Sequence, residues 1–166
     1  MWPKSQLEYF INKVISRVIH RRLEGILPRL VLPNQSGFVK GRRIIENVLL
    51  TQETITGYKK EKAANVIIKL DMTKAYDRMS WLFFIRILKK MAFLEGFVDM
   101  IWKLIGNNWY SMIINGQPHG FFHSTRGVKQ GDPLSPSLFI LSAEVLSRAL
   151  NNLFDDPMYR DFGMPK

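Results

Sequence analysis

Cysteine is absent from all 166 residues, which excludes disulfide staples and cysteine-ligated zinc. No apolar run reaches the roughly 20 residues that a membrane-spanning helix needs, and the amino terminus lacks the apolar segment of a signal peptide. No membrane partner is expected, and the modest inference is an intracellular protein, with nucleus and cytoplasm indistinguishable. Histidine is sparse, and His20, His119 and His123 show no metal-ligand spacing. Two catalytic signatures are missing as well: there is no nucleophile-elbow Gly-x-Ser-x-Gly with a Ser/His/Asp order, and no dinucleotide fingerprint. Internal repeats, low-complexity tracts and linkers are also lacking, so one domain spans residues 1–166.

Acidic charge is the scarce sign. Against 14 Asp and Glu stand 24 Lys and Arg, a net charge of +10. That balance favours a polyanionic partner through phosphate neutralisation and counterion release, nucleic acid first and an anionic membrane surface behind it. Apolar residues make up 46% and aromatics 12%, enough for a sizeable core and too much for a disordered chain.

Helical periodicity runs through Phe10, Ile11, Val14, Ile15, Val18, Ile19, Leu23, Ile26 and Leu27, and stops at or before Pro28. The opposite face carries Lys13, Arg17, His20, Arg21 and Arg22, which suits either solvent or phosphates. The stretch from Leu32 to Arg43 is turn-rich, with Gly37 and Gly41 around Phe38 and three cations, Lys40, Arg42 and Arg43, within four positions. Such a loop can hold phosphate, although basic glycine loops are common. Ile44, Ile45, Val48, Leu49, Gln52 and Ile55 mark a second helix, followed by a solvated connection at Gly57, Lys59, Lys60 and Lys62. Two more helices are expected around Trp81 to Ala92 and Phe97 to Ile105. The period then changes: Tyr110 to Ile114 and Gly120 to Ser124 flank Asn115-Gly116, the strongest short hairpin signal. After the loop Arg126 to Pro136, with Ser135 placed to cap and Pro136 to start, a last helix buries Leu138, Leu141, Val145, Leu146, Ala149, Leu150 and Leu153. The order predicts an α+β fold with helices packed on a small antiparallel sheet that is thin for the chain's length.

Val66 to Asp71 is a run of β-formers ending in a carboxylate, followed by Lys74, Tyr76 and Asp77. A carboxylate at a strand end can bind Mg²⁺, and the same position can cap the turn that begins at Met72; spacing alone leaves the two balanced. Asp77 beside Arg78 suits an ion pair better than a metal, and Tyr76 suits either a substrate ring or the core.

Three blocks taken together resemble the reverse transcriptases of plant non-LTR (LINE-type) retrotransposons, and in the same order. They are Gln35-Ser36-Gly37-Phe38-Val39-Lys40-Gly41-Arg42, Lys69-Leu70-Asp71-Met72-Thr73-Lys74-Ala75-Tyr76-Asp77-Arg78, and Gly120-Phe121-Phe122 with Arg126 through Pro136. The resemblance covers about Phe10 to Asn151 and implies the fingers and partial palm of a right-hand polymerase, an RNA-directed DNA polymerase. It implies two Mg²⁺ ions as cofactors, an RNA template and a DNA primer as partners, and deoxynucleoside triphosphates as substrates. Asp71 then resembles the first metal-binding aspartate, with Met72 lending its carbonyl. Tyr76 resembles the steric gate against a 2′-hydroxyl. Lys40 and Arg42 resemble the triphosphate clamp. Gln130 and Gly131 resemble the loop under the nascent base pair, where a side chain would collide with the nucleotide or template. Arg126 and Lys129 would follow template or primer phosphates.

Two departures accompany the resemblance. The family's Tyr-x-Asp-Asp hairpin is not among the 166 residues; Leu153-Phe154-Asp155-Asp156 imitates it, but Pro157 follows at once and the pair falls where a helix should fray. Upstream, Trp2-Pro3-Lys4-Ser5-Gln6-Leu7 stands where the family usually has Arg-Pro-Ile-Ser-Leu. A truncated domain with little or no polymerase activity on its own is the expectation, and the alternative is a basic nucleic-acid-binding remnant without chemistry. Oligomeric state is not legible.

Overall fold

The computed structural model describes residues 4–58, 67–106 and 109–158. Trp2 and Pro3, the cations Lys59, Lys60 and Lys62, and Val66 lie outside the described residues. Helix α1 (Lys4–Glu24) is followed by the single turn α2 (Leu27–Leu30), with Pro28 in its first turn where the missing N–H costs nothing. Helix α3 (Ile44–Tyr58), the turn α4 (Ala75–Arg78), α5 (Trp81–Lys90) and α6 (Glu95–Gly106) come next. Strands β1 (Trp109–Ile114) and β2 (Gln117–His123) form the hairpin, and α7 (Ser135–Asn151) runs into a 3-10 turn at Asn152–Asp155.

The core is made by helices and loops. Leu23 and Leu27 meet Phe84, Leu88, Val98, Ile101, Leu134, Leu138 and Leu141, all essentially inaccessible. On α6 the buried positions are Val98, Ile101 and Ile105, the three- and four-residue steps of one helical face. Helix α5 starts at Ser80, whose hydroxyl accepts from the Phe83 N–H, and ends with Lys89 and Lys90, cations that suit the negative end of the helix dipole.

The hairpin forms as the pattern predicts. Asn115 (φ 51°) and Gly116 (φ 78°) both take positive φ, the backbone of a two-residue type I′ turn. Tyr110 pairs with Phe122 and their rings stack at 5.8 Å; Trp109 stacks on Phe121 at 5.0 Å. Partial burial raises the Tyr110 phenol above its ordinary pKa.

Three expectations are corrected. The fold is α+β, but the core does not form on the sheet: every residue of β1 and β2 is exposed, no core side chain belongs to a strand, and the hairpin meets the helices through His123, whose ring lies 5.9 Å from that of Trp81 on α5. Ile67 to Asp71 form no strand and are exposed, because among the described residues β1 and β2 pair only with each other and offer no ladder to a third segment. Ile44, Ile45, Val48, Leu49 and Ile55 of α3, Phe10, Ile11, Val14 and Val18 of α1, and Val145, Leu146, Ala149, Leu150 and Leu153 at the far end of the last helix are exposed although their spacing is that of buried stripes.

Candidate active site

Two of the three blocks are tied together by main-chain hydrogen bonds. The Val128 N–H donates to the Tyr76 carbonyl at 2.9 Å, and the Gly127 N–H donates to the Met79 carbonyl at 2.8 Å. The Trp81 indole N–H donates to the Gly127 carbonyl. Gly127 sits at φ 87°, and a Cβ there would lie 3.0 Å from the Asp77 carbonyl oxygen and 3.1 Å from that of Tyr76. Only glycine permits so close an approach. Beneath the junction the Tyr76 ring meets Phe139 of α7 at 5.5 Å, so the tyrosine is half-buried and backed by a second aromatic.

The third block is fastened to the same helix by Glu144, which is completely buried. Its Oε2 accepts from the Leu32 N–H at 3.1 Å and from Gln35 Nε2 at 2.6 Å; its Oε1 accepts from Arg148 Nε at 2.8 Å. Arg148 Nη2 also donates to the Leu30 carbonyl at 3.1 Å. From within the loop, Arg42 donates through Nη1 to the carbonyls of Leu32 and Gln35, and through Nη2 to those of Pro28 and Val31. Four of the five N–H groups of a guanidinium are thus spent on the main chain. A phosphate contact by Arg42 would have to break that clasp.

The remaining residues indicated by the resemblance lie on the protein surface or are half-buried. Lys40 is exposed, two residues after Phe38, whose φ of 56° is rare for an aromatic. Asp71 and Met72 are exposed. Asp71 caps nothing: α4 is preceded by Lys74 in the left-handed conformation without a side-chain cap. No hydrogen bond or ion pair engages its carboxylate among the described residues, and the Asp77–Arg78 ion pair does not form. Gln130 and Gly131 form an exposed turn; Gly131 has φ 82° and no protein atom within 4 Å of where its Cβ would be, so the protein itself demands only the backbone conformation. Arg126 is exposed and Lys129 half-buried, the latter's carbonyl accepting from the Ser135 hydroxyl at 2.7 Å. Ser135 is therefore the first residue of α7 rather than its cap, and Asp132 Oδ1 closes the turn by accepting from the Leu134 N–H at 2.8 Å. Asp155 lies in the terminal 3-10 turn and Asp156 just past it; both are exposed.

Residues 6–160 match the family described as reverse transcriptase (RNA-dependent DNA polymerase). The chain belongs to the reverse transcriptase family. It is similar to the transposon TX1 uncharacterized 149 kDa protein of Xenopus laevis, 30% identical over 132 residues that are 80% of this chain and 10% of that protein. It is also similar to the Pol polyprotein of the type-1 retrotransposable element R2 of Popillia japonica, 27% identical over 83% of this chain and 19% of that protein. A third relative is the Pol polyprotein of the type-2 retrotransposable element R2DM of Drosophila melanogaster, 32% identical over 71% of this chain and 11% of that protein. The chain spans about a tenth to a fifth of the length of these relatives. The activity that gives the family its description is RNA-dependent DNA polymerisation.

A divalent ion is general to reverse transcriptases, and the described residues meet that need in part. No group of three or more His, Cys, Asp or Glu among them could hold a metal. Asp71 nevertheless offers a hard, exposed carboxylate with no competing partner among the described residues, and Met72, the next residue in the chain, is exposed as well. That fits a share of a Mg²⁺ shell completed by water and substrate phosphates, and it does not fit a closed protein cage.

Sequence reasoning missed Glu144 and Phe139 as parts of this site. Glu144 falls three residues after Leu141 and six after Leu138, on the buried stripe of α7. A lone carboxylate on an apolar stripe signals an internal hydrogen-bond network, because an unpaired buried charge is too costly to keep.

Proposed function

We propose that this chain carries the fingers and the leading part of the palm of a non-LTR type RNA-directed DNA polymerase, working on an RNA template and a DNA primer. Asp71 and Met72 would hold Mg²⁺, which when bound supplies Lewis-acid stabilisation of charge at the reacting phosphate and primer oxygens. Tyr76, braced from behind by Phe139, would lie beneath the sugar of a deoxynucleoside triphosphate. A ring held on one side by a second ring cannot retreat from a 2′-hydroxyl without disturbing the core. Lys40 would neutralise the triphosphate, and Arg42 would hold the loop that presents it. Gln130 and Gly131 would lie under the nascent base pair, where the open space beyond Gly131 leaves room for a ligand. Arg126 and Lys129 would follow the strand phosphates.

The observation that supports this reading is the junction. Three blocks far apart in sequence are drawn to α7 and its leading loop through Glu144, Tyr76 and Gly127. A basic remnant that binds nucleic acid by charge alone has no need of that alignment. The test is deoxynucleoside triphosphate binding with and without Mg²⁺. Binding to the wild-type chain is expected to require the ion, and Asp71→Ala is expected to weaken it on the order of tenfold, about 1.4 kcal/mol. Ion-independent binding that Asp71→Ala leaves untouched would favour the non-catalytic remnant instead.

A further inference from the structure

Helices α1 and α3 each turn an apolar stripe to solvent. On α1, Phe10, Val14 and Val18 follow at four-residue steps with Ile11 and Ile15 beside them, all exposed, while Ser16, Ile19 and Leu23 are buried on the other side. On α3 the stripe is Ile44, Ile45, Val48, Leu49 and Ile55, and no residue from Ile44 to Gly57 is buried. The Asn47 amide of α3 donates to the Asn34 carbonyl of the preceding loop at 3.0 Å, and none of the helix's apolar side chains joins the core. Contiguous apolar stripes of this kind, unlike scattered single residues, mark surfaces that meet a partner.

The two stripes are bordered by opposite charge. Arg17 and Arg21 lie three residues beyond Val14 and Val18, and Arg22 follows at the carboxyl end of α1. Glu46 and Glu53 lie three residues before and four after Leu49, and α3 contains no Lys or Arg. No ion pair engages these arginines or glutamates among the described residues. On a chain of net charge +10 an acidic helix is the exception, and a polynucleotide is repelled by it. What complements it is an apolar helix with a cationic border, and α1 is one. The α1 of the same chain is out of reach. Arg42 closes the intervening loop on four carbonyls and Glu144 holds it through Leu32 and Gln35, so α3 cannot fold back over its own α1 without breaking both.

We infer that two copies of this chain form a symmetric dimer, in which α1 of each copy packs antiparallel on α3 of the other. Antiparallel packing sets the cationic end of α1 beside the first turn of α3, which holds Glu46, and opposes the two helix dipoles. A two-fold pair makes the contact twice. Each copy then contributes faces of helices 21 and 15 residues long, the scale of a stable interface with its roughly 20–30 residues and about 800 Å² per partner. The inference is independent of the polymerase reading, because none of the residues assigned there to metal, nucleotide or strand lies on either helix.

The test is sedimentation velocity on the full chain and on two charge-swapped variants, Arg17→Glu/Arg21→Glu and Glu46→Arg/Glu53→Arg. Wild type is expected to sediment as a dimer. Either variant alone places like charges across both contacts and should weaken the dimer by roughly 100-fold, leaving monomer at the same concentration. Mixed in equal amounts, the two variants again face opposite charges at both contacts, and the dimer should return. Mixing does not repair a misfolded chain, so that recovery separates lost pairing from lost folding. Ile113→Asp, on the exposed hairpin, should leave the dimer intact. A monomeric wild type, a dimer that survives either swap, or variants that stay monomeric when mixed would overturn the inference. So would a dimer lost in Ile113→Asp, which would place the contact on the hairpin, or open-ended polymers in place of a dimer.

Discussion

Glu144→Ala is expected to lower the unfolding free energy by roughly 3 kcal/mol, the range for removing one partner from a buried, hydrogen-bonded charge. The carboxylate has no access to solvent and receives three donors from two directions. Its loss leaves the Leu32 N–H and the Gln35 amide facing a void and strips Arg148 of its only ion-pair partner among the described residues. Since Arg148 is 59% exposed, water recovers part of its charge, and the larger share of the cost comes from the loop side. Glu144→Gln should cost less, because one amide oxygen can still accept from both Leu32 and Gln35 while its NH₂ turns awkwardly toward Arg148. Urea titration of the three chains measures this; an alanine variant within about 0.5 kcal/mol of wild type would mean that the network does not hold the loop.

Gly127→Ala is expected to cost about as much, roughly 3 kcal/mol, by another route: about 1–2 for forcing a left-handed residue to carry a Cβ, and the rest for overpacking against backbone. The atoms that the new methyl would meet belong to the main chain of Tyr76 and Asp77 and cannot swing aside. The Gly127–Met79 and Val128–Tyr76 hydrogen bonds would have to lengthen, moving Tyr76 relative to Phe139. Gly131→Ala is the control: its φ of 82° carries the same conformational cost but no atom stands in the way, so about 1–2 kcal/mol is expected. Equal costs for the two substitutions would show that the close approach at Gly127 is relaxed in solution.

The helices could be read because an apolar stripe at period 3.6 is a local signal, and the hairpin because Asn115-Gly116 suits a turn in which both residues take positive φ. The blocks carrying Lys40, Asp71 and Gln130 were identifiable by resemblance, so family membership was legible too. Burial was not. Val14, Leu49 and Ile113 obey the periodicity of core residues yet lie on the surface, because burial depends on a partner element and periodicity does not report whether one is present. The stretch ending at Asp71 failed as a strand for the same reason: β-formers supply the propensity, but a ladder needs a neighbour. Arg42 shows a different limit. Its charge and its block suggested phosphate, and only coordinates reveal that its donors close on four main-chain carbonyls, those of Leu32 and Gln35 in its own loop and of Pro28 and Val31 at α2.

The proposal that Tyr76, backed by Phe139, gates a deoxynucleotide site that includes Asp71 is tested most directly by discrimination between sugars. Binding of dCTP and CTP in Mg²⁺ should be compared for the wild-type chain and Tyr76→Ala. Wild type is expected to bind dCTP on the order of tenfold more tightly, and Tyr76→Ala to bind the two alike by gaining affinity for CTP, a shift of about 1.4 kcal/mol. No preference in wild type, or a preference that survives Tyr76→Ala, would contradict the account.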